Sequence, residues 1–284
     1  MTKQFPRTDV AGVSLSRMLI GTNWMLGWSH TSPSADNRIK EKYAKPEDFF
    51  PMIEAFMEYG IDSLMGLIGS IPNIVDGLEY ARQKLGKDII VIDTPIVNVS
   101  DSPVARKEAE DMIKLSAKAG AKFCFLHHSS VEQLVDKNKG VIHRLDDYTK
   151  MIRDAGMIPG LSAHMPEVLT YSDENEYDVE TYIQIYNCLG FLMQVEIETI
   201  AATIHHAKKP VMTIKSMAAG RVTPYVGLNF SWNTIRPCDM VTVGCFTPEE
   251  VHEDVEISFA ALERRLPNLE KRASPNNNQA AFGK

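Results

Sequence analysis

One phrase recurs along the 284 residues of this chain: an amphipathic helical stretch, a glycine, then a short apolar run that ends in polar or ionisable side chains. It reads EAFMEYG then IDSLMG around Gly60, YARQKLG then KDIIVIDT around Gly86, LSAKAG then AKFCFLHH around Gly120, and MIRDAG then MIPGLSAH around Gly156. A helix C-terminus favours a left-handed residue, and glycine adopts that conformation without a Cβ penalty. The phrase therefore reads as helix, tight turn, strand, and its repetition builds a parallel sheet with helical crossovers. Such folds present ligands at the carboxyl ends of their strands. Here those ends carry Asp93, His127, His128, His164 and Lys215.

Strands are expected near residues 18–22, 61–65, 89–94, 123–127, 158–164, 182–186, 211–215 and 240–244, with helices between them. This is the strand count of a closed (β/α)8 barrel, a fold that typically takes roughly 250 residues. The expected organisation is one barrel domain over 1–266 and a polar tail over 267–284, read as a disordered end or a strap across the barrel mouth. An open doubly wound sheet is the runner-up, but its G-x-G-x-x-G turn after the first strand is missing. A helix opens at Lys45-Pro46-Glu47-Asp48, and the last opens at Thr247 with Glu250 in capping-box position. The stretch 28–45 is long for a strand-to-helix connection and lies on the ligand face, so it is a candidate lid.

Charge and hydropathy narrow the partners. The net charge is -7 and no basic block or basic-aromatic stripe occurs, which argues against nucleic acid and for a small-molecule substrate. There is no apolar signal core in MTKQFPRTDV and no apolar run of about 18 residues, so no membrane association is expected and the anticipated location is cytoplasmic. Cys124, Cys188, Cys238 and Cys245 form no CxxC pair and read as buried small apolar residues. No sequence feature sets an oligomeric state.

The succession VSLSRMLIGTNW, FCFLHHSS, GLSAH, YIQIYN, KPVMTIKSMAAGRV and MVTVGCFTPEEVHEDV, in this order along nearly the whole chain, resembles the aldo-keto reductase superfamily. The resemblance implies a (β/α)8 barrel and, in a functioning member, NADPH-dependent carbonyl reduction by an Asp, Tyr, Lys and His tetrad. On that pattern the Asp falls on Met65, with Asp62 nearby, and the Lys falls on Pro95 or a neighbour. The Tyr has no counterpart in GLIGSIPN, and only the His is matched, by His127. Of the residues that hold the nicotinamide, Ser162 and Gln184 are kept while the Asn beside the serine is Ala163. Losing a general acid costs about 10²–10⁴ in rate, so the parental reduction is not expected and NADPH should bind weakly or not at all.

Side-chain alternation selects what the strand ends offer instead. His127 shares a face with Phe123 and Phe125, Asp93 with Ile89 and Val91, and His164 with Gly160 and Ser162. If those faces turn to the barrel mouth, Asp93, His127 and His164 form either a facial triad for a divalent metal or an acid/base pair with an orienting carboxylate. His128 is then expected between strand and helix. Lys215 reads as a clamp for an anionic or polyhydroxy substrate, or as an imine-forming nucleophile if desolvation lowers its pKa. Trp24, Trp28 and His30 follow the first strand and suit stacking on a sugar-like face.

The expected function is non-redox chemistry of lyase, isomerase or hydrolase type on a small polar carbonyl or polyhydroxy substrate, by acid/base or metal-assisted steps. His127, His164, Asp93 and Lys215 are the catalytic candidates, and Trp24, Trp28, His30, Ser162 and Gln184 the substrate-binding ones. The alternatives are an NADPH-dependent reductase with a rearranged proton donor, and a catalytically silent barrel that serves as a binding subunit.

Overall fold

A computed structural model describes residues 2–269. Eight parallel strands close into a barrel in chain order: β1 (Met18–Gly21), β2 (Ser63–Gly66), β3 (Ile90–Asp93), β4 (Ala121–Leu126), β5 (Ile158–Ala163), β6 (Tyr182–Ile185), β7 (Val211–Ile214) and β8 (Met240–Val243). A principal helix follows each strand: α1 (Phe50–Met57), α2 (Pro72–Leu85), α3 (Pro103–Lys118), α4 (Leu145–Asp154), α5 (Glu167–Glu174), α6 (Ile197–His206), α7 (Pro224–Thr234) and α8 (Pro248–Glu263). This is the (β/α)8 architecture expected from the repeated phrase, with strand ends within two residues of the expected ones. Gly60, Gly86, Gly120 and Gly156 all have positive φ at the helix-to-strand turns. No described helix is long and apolar enough to cross a membrane.

Alternation along the strands sorts the apolar residues into two cores. Leu19, Met65, Ile92, Phe123, Phe125, Ile183, Met212 and Met240 point inward and fill the barrel, while Ile20, Leu64, Val91, Cys124, Leu161 and Val241 pack against the helices. Gly160 belongs to the inner face, where a Cβ would stand 2.4 Å from the Phe125 ring; its absence lets that ring occupy the barrel axis.

A hairpin of Arg7–Val10 and Val13–Ser16 precedes the barrel, an element the sequence pattern left unread. Its Val10 and Leu15 join the inner core, so it seals the amino ends of the strands. Arg7 in this hairpin pairs with Asp62 at 3.0 Å, which ties Asp62 to the end opposite the mouth. Cys124 and Cys245 are buried as expected, whereas Cys188 and Cys238 are only half-buried. The tail from residue 270 onward lies outside the described residues.

The helix start at Thr247 holds in part. Its hydroxyl accepts the Glu250 amide at 3.3 Å, but the Glu250 carboxylate accepts the Phe246 amide at 2.6 Å, one residue earlier than a capping box requires.

Candidate functional site

The carboxyl ends of the strands surround a cavity of about 410 Å³. Its floor is the top of the inner core, Met65, Ile183 and Ile214, and its walls mix polar side chains at the strand ends with apolar ones such as Trp28, Leu192 and Phe246. Ser162 lies in β5 with His164 just past its end, Thr94 follows β3, Thr242 lies in β8, and His127 follows β4.

Histidine chemistry is concentrated on one wall. The His127 and His128 ring centroids lie 4.2 Å apart, and His128 stacks on His164 at 3.9 Å with the planes 11° apart. Alternation alone would have sent His128 outward, between strand and helix. The chain instead leaves β4 at Leu126, and His127 caps a single helical turn, His128–Val131, that swings His128 back over the cavity. Nδ1 of His127 lies 2.8 Å from the Ser129 hydroxyl.

Glu132, on the next turn, is a residue the sequence reading passed over. One carboxylate oxygen accepts the backbone amides of His164 and Met165 at 2.6 and 2.9 Å, and the other lies 4.0 Å from His128 Nδ1. It thereby ties the β4 and β5 loops together and fixes the stacked pair.

Burial opposes charging these rings. Desolvation first, then the neighbouring imidazoles, pushes His127 down to about 4 and His164 down to about 3; Lys215 adds to the effect on His164. Both imidazoles are therefore neutral near pH 7, the form that accepts a proton.

Lys215 faces them across the mouth. Val211 packs outward and Met212 inward, so alternation would turn Lys215 toward the helices. A φ of 61° at Lys215 breaks the alternation, and both Lys215 and Ser216 line the cavity. A left-handed backbone at a long side chain costs of order 1 kcal/mol and persists only where the surroundings enforce it. Among the described residues no carboxylate pairs with this ammonium, and desolvation lowers its pKa to about 8.

The candidate lid is partly helical. Ser32 accepts the Ala35 amide at 3.2 Å and Pro33 opens the helix Pro33–Lys42, with Asp36 in its first turn and Lys40 and Lys42 in its last. These are ordinary start and stop signals, masked in the sequence because the helix buries no residue of its own. It is latched over the mouth at the loop after β8: Lys42 Nζ and the Tyr43 hydroxyl both donate to the Phe246 carbonyl at 2.6 Å. His30 lines the cavity with its Nε2 2.9 Å from Asn23 Nδ2, and Trp28 lines it while 42% exposed. Trp24 lines it too, but from within the core, edge-on to Phe49 and Tyr43.

Two expected members lie elsewhere. Asp93 does share a face with Ile89 and Val91, but that face packs on the helices. Its carboxylate is 1% exposed and accepts the Ile68 and Gly69 amides at 2.8 and 3.0 Å, holding the loop after β2. Burial raises its pKa against the pull of Ser116 and those amides. Gln184 is fully buried and donates to the His164 and Ile185 carbonyls at 3.3 and 3.4 Å, so it braces the β5 end from behind.

With Asp93 turned away, the triad of Asp93, His127 and His164 does not form, and no cluster of metal-holding geometry occurs among the described residues. The fit to a nicotinamide is equally poor: Ser162 reaches the cavity, Ala163 packs outward, Gln184 is committed to carbonyls, and no tyrosine lines the cavity. Met65 occupies the wall where the resemblance places an Asp.

Sequence reasoning also passed over Ser216 and Thr242. Both residues border the cavity, and their hydroxyls are buried without a partner, as is the Trp24 indole N–H. Buried polar atoms are almost always satisfied, so these mark unused hydrogen-bonding capacity at the edge of the cavity.

No family model and no curated protein sequence matches the chain. Solved structures do. A protein of Pseudomonas aeruginosa proposed to be an aldo-keto reductase is 13% identical, with a TM-score of 0.64 over 92% of this chain and 99% of that one. Glycerol dehydrogenase of Gluconobacter oxydans is 12% identical, with a TM-score of 0.60 over 94% and 98%. A xylose isomerase domain containing protein of Salmonella typhimurium is 10% identical, with a TM-score of 0.52 over 87% and 97%. The likeness is one of fold: the chain shares the closed (β/α)8 barrel of these proteins.

Proposed function

We propose that this barrel is an enzyme that moves protons on a small polar carbonyl or polyhydroxylated compound without a nicotinamide or a metal, as a lyase or isomerase does. The observation that carries the reading is the juxtaposition of His127, His128 and His164 with an unpaired Lys215 around one cavity at the strand ends. A barrel that served only as a binding subunit would have no need of a left-handed backbone that turns an unpaired lysine toward three imidazoles.

In this reading a substrate carbonyl lies toward Lys215 and its adjacent carbon toward His127 or His164. The neutral imidazole takes the proton from that carbon, and Lys215 stabilises the charge that develops on the oxygen side. Each contribution is worth about 10²–10⁴ in rate. Ser162, Ser216 and Thr242 supply hydroxyl partners for the substrate. The latched lid limits water at the reacting carbon, a role consistent with lids in other barrels.

The test is enzyme-dependent exchange of carbon-bound hydrogen with D₂O, followed by NMR, for dihydroxyacetone, glycolaldehyde and pyruvate. Exchange that is lost in His127→Asn and His164→Asn supports the reading. Micromolar or tighter NADPH binding by fluorescence titration, with carbonyl reduction, would replace it with the reductase alternative.

A further inference from the structure

We infer that Lys215 is a covalent nucleophile, forming an imine with the carbonyl carbon of a small uncharged hydroxyaldehyde or hydroxyketone. The inference rests on the acid/base reading above and assigns its lysine a chemical step and its substrate a class.

The placement is the first argument. A lysine that merely ended a strand would follow the alternation of β7 and turn outward, whereas the left-handed backbone at Lys215 aims its amine into the cavity. The second argument is its company. Lys215 is the one Lys or Arg lining the cavity among the described residues, and its ammonium has no hydrogen-bonded or ion-paired partner there. An unpaired, half-buried ammonium is costly, and the amine is the form such a site favours. With its pKa near 8, roughly one molecule in ten carries the free amine at pH 7, against about one in three thousand for an ordinary lysine.

The walls indicate the substrate. A phosphate or carboxylate would call for a second fixed cation, and the imidazoles around Lys215 are held neutral. What the walls offer are a few hydroxyl-bearing side chains, Thr94, Ser162 and Thr242, among apolar ones such as Trp28, Leu192 and Phe246. Such a mixed lining suits a small uncharged hydroxycarbonyl compound rather than an anion.

The chemistry closes without an oxidant or reductant. The Lys215 Nζ lone pair forms a C–N bond to the carbonyl carbon as the C=O π pair moves to oxygen. A neighbouring imidazole, His128 or His164, carries a proton from nitrogen to that oxygen. The hydroxyl takes a proton from solvent and leaves as water while the nitrogen lone pair forms the C=N bond of an iminium; that proton returns to solvent when the iminium is hydrolysed. The adjacent carbon then gives its proton to the neutral His127, and the C–H pair moves into the C–N system as an enamine. Reprotonation at carbon and addition of water regenerate the carbonyl and the free amine.

The test combines trapping with the exchange assay. Full-length protein is incubated with dihydroxyacetone or glycolaldehyde, reduced with sodium borohydride, and read by intact mass and peptide mapping. The expected result is one dominant adduct, on Lys215. It is absent in Lys215→Arg, which keeps the charge but cannot form the imine, and in Lys215→Met, with circular dichroism showing both folded. Exchange of carbon-bound hydrogen should fall at least a hundredfold in both variants. The inference is overturned if Lys215→Arg keeps exchange within tenfold of wild type and no adduct maps to Lys215; the lysine is then a clamp and the acid/base reading stands. Labelling spread over surface lysines without enrichment at Lys215 overturns it equally. Absence of both adduct and exchange in the wild type removes the inference and the acid/base reading together.

Discussion

Replacing His164 by Phe should make the protein more resistant to acid, an unusual outcome for a substitution in a cavity. The ring stacked on His128 at 3.9 Å is retained in shape, while the titrating nitrogens are deleted. In the folded state His164 is held at about 3 by burial first, then by His128, Lys215, His127 and His30. In the unfolded chain it returns to about 6.5. Its folded pKa is the lower one, so the unfolded state binds the proton first. The favourable contribution is present above pH 6.5 and is lost as pH falls toward 3.

Between pH 7 and pH 4.5 the wild type therefore loses up to about 2.5 kcal/mol that the variant does not, and roughly half of this once solvent screening at a half-buried ring is allowed for. At about 2–4 °C per kcal/mol for a domain of this size, the gap between the two melting temperatures should shift by roughly 2–5 °C over that range. Thermal melts by circular dichroism at pH 7, 6, 5 and 4.5 measure it, and the difference between proteins cancels the other carboxylates. Parallel curves for wild type and variant would refute the claim that His164 is held neutral by the fold.

Three further outcomes follow from the geometry. Asp93→Ala should destabilise the fold by about 2–4 kcal/mol, since it strands the Ile68 and Gly69 amides, while kcat of the folded fraction stays within a few fold; a selective loss of kcat would return Asp93 to the site. Glu132→Gln keeps the shape but weakens the acceptor for the His164 and Met165 amides, and should lower kcat about tenfold with little change in KM, because Glu132 acts by positioning His164; an unchanged kcat would show the β5 end to be rigid without it. Trp28→Ala with His30→Ala should lower kcat/KM while leaving Tm nearly unchanged, as Trp28 is 42% exposed; a large drop in Tm with normal kinetics would make the loop packing alone.

The eight strands and their order were legible because four of the helix-to-strand turns, at Gly60, Gly86, Gly120 and Gly156, carry a glycine and each strand is a compact apolar run. The inward direction of His127 and His164 was legible as well, because the bulky Phe123 and Phe125 and the hydrogen-sized Gly160 sit on the same faces. Asp93 was misplaced because alternation yields relative faces only. Its partners Ile89 and Val91 are as apolar as Ile92, and only the closed barrel decides which set looks inward. His128 escaped for another reason: it lies past the end of β4, where one helical turn overrides the period of two. Lys215 was legible from its place at the end of β7, although a left-handed residue rather than alternation turns it to the mouth. The lid helix was unread because its face is polar throughout, and the sealing hairpin because two strands of four residues carry too little pattern.

That hairpin sets the traffic of the molecule. With Val10 and Leu15 stopping the amino ends and Phe125 across the axis, the cavity is a chamber with one door. Whatever reaches Lys215 enters, and leaves, past the rim that carries Trp28 and His30.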